Sequence, residues 1–347
     1  METLKRNIKQ KSVGFHGNKE LFVLSLSNGS GMKLRIANYG ATIMSLEVPD
    51  HLGNMINVIV GFDSLEQYIE KSKNKESRFL GASIGRYAGR ISGGKFTMNC
   101  LEYPLYQEEG VHLHGGKQGF DEKVWDIEYI NEDSLSVSLS YLSEHLEEGY
   151  PGSLRVKVTY QLTDTNELKI RYDATSTEDT FVNLTNHAYY NLNGSDDILN
   201  HELLLHCSHY LEVDDKLLPT GILKPVEETK LDFTNSKCLE FLEYKGTIDD
   251  TLIFDENMNS KGVLISPKTK IKMEFFSNQP GIVLFTPKKL PEGNYYGNNV
   301  SYGKFPAICF EMQNYSDAPN KWNFPSVQLK AGELYDNSMT FKFSSID

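Results

Sequence analysis

Ser134-Leu135-Ser136-Val137-Ser138-Leu139-Ser140-Tyr141 alternates a small polar residue with an apolar one along its whole length. Successive side chains of a strand point to opposite faces, so the stretch predicts a strand with one face on a core and the other toward water. The pattern recurs in Leu154-Arg155-Val156-Lys157-Val158-Thr159-Tyr160 and in Leu168-Lys169-Ile170-Arg171-Tyr172. Asp164, Thr165 and Asn166 supply turn residues between these two runs, which are therefore read as an antiparallel hairpin.

Outward from this region, similar runs occur at residues 22–26, 33–37, 42–48, 263–266, 270–275, 282–285 and 339–343, with turn formers between them. Helical periodicity is confined to residues 64–71, where Ser64 can cap a short helix carrying Leu65, Tyr68 and Ile69. Many short strands and so little helix exclude an α/β fold and predict an all-β sandwich or barrel. No Pro/Ser-rich linker and no internal repeat divides the chain, so residues 1–347 are read as one domain.

With 347 residues, 39% of them hydrophobic, the chain can fill a substantial core. Its 19 Tyr and 18 Phe suit half-buried strands, and also suit sugar binding, in which aromatic rings stack on pyranose faces. A formal charge of −12 opposes nucleic acid and anionic membrane as partners and leaves neutral small molecules open. The basic first residues are not followed by an apolar run, and no stretch is long enough for a membrane helix, so a cytoplasmic protein is expected. Cys100, Cys207, Cys238 and Cys309 are scattered, with no C-x-x-C pair, which predicts reduced thiols rather than a zinc or redox site.

Four segments carry candidate chemistry. His112 and His114 form an H-x-H pair that on a strand would share one face, and His206 and His209 lie three apart. No Glu follows the pair at a cupin-type spacing; the next acidic residue, Asp121, comes after a glycine-rich turn, so no metal is expected. In that turn Gly115, Gly116 and Gly119 allow close approach of a ligand and present His114 at a loop mouth, or else form an ordinary hairpin turn. Arg86 and Arg90 lie among small residues upstream and can reach a ligand's oxygens or simply be solvated; neither a dinucleotide fingerprint nor a phosphate loop is present.

Around His187, residues 183–192 read Asn-Leu-Thr-Asn-His-Ala-Tyr-Tyr-Asn-Leu, either a satisfied polar network or a site whose neighbours orient the imidazole. Glu311 interrupts the apolar run 308–312, and an inward carboxylate is expensive unless it is paired, hydrogen-bonded or protonated. Asp249 gives a weaker version of the same signal within an acidic turn.

In this order the segments LHGGKQGFD (113–121), NLTNHAYYNL (183–192), LPTG (218–221) and FEMQNYSD (310–317) resemble the aldose 1-epimerase, or galactose mutarotase, family. The likeness runs from about residue 40 to residue 343. It implies a large antiparallel β-sandwich of the galactose-mutarotase type with an open cleft across one sheet. It further implies Glu311 as general base, His187 as general acid and His114 as a second imidazole, with Arg90, Asp249 and Gln279 holding the sugar. Gly89 stands where many relatives have Asn, Asp250 where His is common and Ser316 where Pro is usual, and Phe285-Thr286-Pro287-Lys288-Lys289 is less small and polar than typical. These departures bear on which sugar is preferred.

The residue types suit the implied reaction. Mutarotation removes a proton from the anomeric hydroxyl and delivers one to the ring oxygen, and Glu and His, with reference pKa values of about 4.3 and 6.5, can be tuned to opposite protonation states. No cofactor is required. The expected substrate is a free aldohexose, galactose or glucose, acted on by a monomer or homodimer; a sugar phosphate, a disaccharide or mere carbohydrate binding are the alternatives. A glycosidase would want a second catalytic carboxylate matched to Glu311, and none is evident.

Overall fold

The computed structural model describes residues 5–74, 76–77, 79–297 and 300–346. Three antiparallel sheets make up most of it. The first is a meander of Asn7–His16, Lys19–Ser27, Lys33–Ala37, Thr42–Pro49 and Met55–Asn57 in chain order. The second has nine strands, and its middle is the hairpin read from sequence: Leu154–Leu162 pairs with Glu167–Ser176, with Leu162 opposite Leu168. The third has six strands in the spatial order Tyr189–Tyr190, Ile308–Gln313, Gly281–Phe285, Asp249–Ile253, His209–Val213 and Pro219–Pro225.

One apolar cluster joins all three, taking Leu24, Leu34 and Leu46 from the meander, Val156, Tyr172 and Phe275 from the long sheet, and Ile282, Phe310 and Met312 from the third. Sheets packed on a shared core make a sandwich, one of the two architectures the alternating pattern predicted and the one the resemblance implied. Among the described residues the only α-helices are Leu65–Lys73 and Leu242–Lys245. Ser64 does sit at the first helix's N-cap with extended backbone, but its hydroxyl makes no capping bond. No helix among the described residues is long and apolar enough to cross a membrane.

The stretch that decides the fold differs from expectation in two respects: its strand begins only at Ser136, Leu135 lying in the preceding turn with φ 51°, and its serines are less exposed than a wet face implies. Ser136, Ser138 and Ser140 are as good as buried, although they occupy the polar face of their strand. Their cross-strand partners Gln161, Thr159 and Lys157 are longer and lie over them, and Ser138 Oγ is 2.8 Å from Thr159 Oγ1. Small residues beside long neighbours lose solvent without entering the core.

Candidate active site

Period-two geometry explains why Glu311 is where it is. In Ile308–Gln313, Ile308, Phe310 and Met312 turn into the main core, so Cys309, Glu311 and Gln313 face the opposite side. Register then places Val283 directly across from Glu311, and Thr251 across from Val283. One more pairing brings Asp249 opposite Phe285. The same face of three adjacent strands thus becomes the floor of a cleft of about 220 Å³, walled by Arg90, His114, His187 and Leu217.

His187 enters from the side. Its segment bonds to residues 81–84, with His187 N donating to the Ala82 carbonyl at 2.9 Å and Gly81 N donating to the His187 carbonyl at 3.0 Å. The polar residues around it are fastened to backbone: Asn186 Nδ2 donates to Gly81 O, Thr185 Oγ1 to Met312 O, and Asn183 Nδ2 to both Ala88 O and Asn314 O. The two readings of this segment therefore both hold, with asparagines and threonine as structural network and the imidazole as the group delivered to the cleft. His187 Nε2 lies 3.4 Å from Glu311 Oε1, and the two side chains are 5% and 2% exposed.

His114 overturns the expectation that an H-x-H pair shares a face. The strand Val111–Leu113 ends just before it, and His114 takes a left-handed φ of 49°, which swings its ring away from that of His112. His112 is a core group, with Nδ1 donating to Tyr106 O and Nε2 accepting from the Tyr150 hydroxyl, both at 2.7 Å. His114 instead exchanges bonds with Gly89: its backbone N donates to Gly89 O at 3.1 Å, and Gly89 N donates to its Nδ1 at 3.2 Å. Because Nδ1 accepts, the neutral ring carries its proton on Nε2. Gly115 is indispensable at this turn, since a Cβ there would lie 1.8 Å from the Gly85 carbonyl oxygen. Phe79 packs edge-on against His114, ring centroids 4.8 Å apart, and stacks on His187 at 5.8 Å.

Arg90 opens the strand Arg90–Ser92 opposite Leu113, and its guanidinium pairs with Asp249 at 3.0 Å across the cleft wall. Asp317 holds this strand: its N donates to Arg90 O, and its carboxylate accepts from the N and the hydroxyl of Ser92. Arg86 is no ligand contact, because its guanidinium is buried and donates to Ser143, Glu144, Tyr150 and Pro151.

Gln279 is not brought to the cleft. It sits in the turn before Gly281–Phe285, with Nε2 donating to Asn278 Oδ1 and Asp336 O. The place beside Glu311 belongs to Val283, which sequence reasoning missed; antiparallel pairing of residues 281–285 with 309–313 was the signal that could have found it. Phe79, Tyr189 and Leu217 also line the cleft unforeseen, whereas Lys288 and Lys289 do not line it.

Burial dominates the electrostatics. It raises the Glu311 carboxyl well above the usual carboxylate range, a shift that Asp249 increases and Arg90 opposes. It lowers the His187 imidazole to about 4 and pushes His114 well below an ordinary imidazole. Glu311 Oε2 and His187 Nδ1 are buried and have no hydrogen-bond partner among the described residues. Buried polar groups of this kind cost free energy unless they are partnered, and they are available to a polar ligand. His114, His187 and Glu311 offer ligand atoms all within 4.8 Å of one another, close enough to receive a divalent ion as well as a sugar's anomeric end.

Comparison with known proteins fits this geometry. The family model for aldose 1-epimerase matches residues 23–342. Galactose mutarotase of Rattus norvegicus is 38% identical over 324 residues, covering 90% of this chain and 91% of that protein. The human galactose mutarotase is also 38% identical, over 330 residues and with the same coverage. The crystal structure of galactose 1-epimerase from Lactobacillus acidophilus superimposes with a TM-score of 0.86 at 26% identity, covering 99% of this chain and 100% of that one.

Proposed function

The chain belongs to the aldose 1-epimerase family and interconverts the anomers of an aldose, and from that premise we propose that Glu311 and His187 are the pair that opens and recloses the ring of a free aldohexose, galactose or glucose. The observation carrying this reading is the buried 3.4 Å approach of His187 Nε2 to Glu311 Oε1 on the floor of a sugar-sized cleft.

Between them the two groups hold one mobile proton, in either of two net-neutral forms. In the first, Glu311 is ionised and His187 is protonated; Glu311 takes the proton from the anomeric hydroxyl as His187 gives one to the ring oxygen. The C1–O5 bond breaks, an aldehyde forms, and the pair is left as a neutral acid and a neutral imidazole. Burial favours that second form, so it supports the open-chain state at the moment it must persist. Rotation about C1–C2 and reversal of both transfers close the ring on the other face. General acid and base groups typically contribute about 10² to 10⁴-fold each, enough for a reaction that water already performs slowly.

His114, with its proton on Nε2, serves as a neutral donor beside His187. Arg90 and Asp249 grip hydroxyls away from C1, leaving C1 free to turn. A phosphate has little to meet in this cleft, whose lining among the described residues carries Asp249 and Glu311 against the single cation Arg90. Four unpaired cysteines agree with work in the reducing cytoplasm.

Polarimetry on freshly dissolved α-D-galactose and α-D-glucose, with and without protein and in EDTA, tests the reading. Faster relaxation unaffected by EDTA is expected. Unchanged relaxation for every free aldose would sink it, and loss of activity in EDTA would replace it with a metal mechanism.

A further inference from the structure

Glu148 does not line the Glu311 cleft, yet its carboxylate engages the loop that presents His114. Oε2 accepts from Lys117 N at 2.9 Å and Oε1 from Gln118 N at 3.1 Å, so its two oxygens take two successive backbone N–H groups. Bonds of this kind, with a carboxylate as acceptor, are roughly twice as strong as neutral ones. The loop needs such an anchor, because Gly115, Gly116 and Gly119 leave its backbone free to adopt many conformations. One flank is fixed by residues 85–89: Phe120 N donates to Gly85 O at 3.2 Å, and Gly89 exchanges its two bonds with His114. Glu148 fixes the other flank and packs closely on it, since a Cβ on Gly116 would lie 2.3 Å from Glu148 Oε2.

The turn that carries Glu148 is held in a costly shape. Leu146 and Glu148 have φ of 64° and 51°, in the left-handed region that residues other than glycine rarely adopt. Such residues persist where the surrounding structure over-determines them, and they gather at functional sites. Here Arg86 supplies much of that constraint. Its Nη2 donates to the Ser143 and Glu144 carbonyls and its Nη1 to those of Tyr150 and Pro151, which grips the turn at both ends. Glu147 is tied down between them, accepting from the Tyr141 and Ser143 hydroxyls and facing Lys123 Nζ at 2.7 Å. Gly149 closes the turn against Pro104, whose carbonyl oxygen a Cβ would meet at 2.1 Å. Residues 85–90 thus hold the His114 loop twice, directly through Gly85 and Gly89 and indirectly through Arg86 and the Glu148 turn.

Resting on the assignment of His114 as a neutral donor at the anomeric centre, we propose that Glu148 is a positioning residue for that imidazole, its carboxylate clamping the glycine-rich loop at Lys117 and Gln118 while Arg86 braces the turn behind it. A proton donor works only within hydrogen-bond reach of its target oxygen, about 3 Å. His114 stands at a strand end with a left-handed φ, and its ring is joined to the scaffold by the two Gly89 bonds alone. Slack in the loop would carry the ring off its target, and a misplacement of about 1 Å can cost about 10²-fold in rate.

The test is the polarimetric kcat and KM on free galactose for Glu148→Ala and Glu148→Gln, each made in the wild-type chain and in His114→Gln. Glu148→Ala is expected to lower kcat about tenfold with KM within about twofold. Glu148→Gln keeps one accepting oxygen and is expected to fall between that variant and the wild type; it carries the test if Glu148→Ala does not fold. In the His114→Gln background, itself impaired, either Glu148 substitution is expected to change kcat by less than about twofold, because the clamp has no imidazole left to place. Equal losses in both backgrounds would make Glu148 a structural residue acting independently of His114 and overturn the proposal. Wild-type kcat from both Glu148 variants beside an impaired His114→Gln overturns the clamp and leaves the donor standing. Wild-type kcat from His114→Gln takes down the donor role, and the clamp with it.

Discussion

Glu311 Oε1 faces His187 Nε2 at 3.4 Å, with both side chains sealed from bulk water. A carboxylate and an imidazole that close share a proton in aqueous solution by forming an ion pair; here desolvation drives each toward its neutral form. The pair is poised between two states of equal net charge, which is what a reversible proton relay needs.

Glu311→Gln and His187→Asn each remove one end of that relay. Each is expected to lower kcat by about 10² to 10⁴-fold. Glu311→Gln keeps shape and should hardly change stability, because it removes a desolvated ionisable group rather than a satisfied one. His187→Asn also gives up ring contacts with Phe79, Tyr189 and Phe285 and should lower stability by about 1 to 2 kcal/mol. Polarimetric rates with a thermal melt for each variant check this, and wild-type rates from Glu311→Gln would remove it as the base.

The pH profile follows from the same directions. Below its acid limb both groups carry protons and none can accept from the anomeric hydroxyl; above its alkaline limb neither carries one and none can protonate the ring oxygen. His187 is lowered to about 4, so kcat/KM should hold its plateau well below pH 6.5 and fall only as pH approaches about 4. Raised Glu311 sets the alkaline limb far above the ordinary carboxylate range. An acid limb centred near 6.5 would show that the imidazole is not desolvated in solution.

Gly89 and Ser316, two of the departures noted in the sequence, turn out to be neighbours. Gly89 has φ +89°, and a Cβ built on it would lie 2.3 Å from Ser316 Oγ. Gly89→Asn alone should therefore cost about 1 to 3 kcal/mol and, by shifting the N–H that holds His114 Nδ1, reduce activity. Ser316→Ala in the same chain removes the obstructing oxygen and should restore part of both. A double-mutant cycle with denaturation and rate measurements reads the coupling, expected at about 0.5 to 3 kcal/mol. Strictly additive effects would mean the backbone moves aside instead.

What the sequence disclosed follows the range of the interactions involved. The hairpin at 154–176 and the strand at 136–143 were legible because alternation is local, and Glu311 was legible because a lone carboxylate in an apolar run violates that pattern. The opposite turn of His112 and His114 was hidden in a single left-handed residue at a strand end. That Val283, and not Gln279, stands beside Glu311 was hidden for a different reason. Which residue of a strand stands beside Glu311 is a matter of register, fixed by pairing between segments some 30 residues apart along the chain, beyond the reach of a motif. Arg86 and Arg90 look alike in sequence, and only the backbone carbonyls around Arg86 make it structural.

Arg90 and Asp249 offer the most discriminating test, because they act on the same carboxyl with opposite sign. Their ion pair is 3.0 Å long with side chains 22% and 28% exposed. Solvent screening at that exposure makes the pair worth only about 0 to 1 kcal/mol of stability. Their loss should appear in binding instead: hydrogen bonds from charged groups to sugar hydroxyls are worth about 1.5 to 3 kcal/mol. Arg90→Gln and Asp249→Asn should accordingly raise KM by about 10 to 100-fold with smaller changes in kcat. Asp249 also raises the Glu311 pKa and Arg90 lowers it. Removing the Asp249 charge must therefore move the alkaline limb of kcat/KM to lower pH, and removing the Arg90 charge must move it higher. Shifts in the same direction would mean that the limb does not belong to Glu311, and the assignment of the base would fail with it.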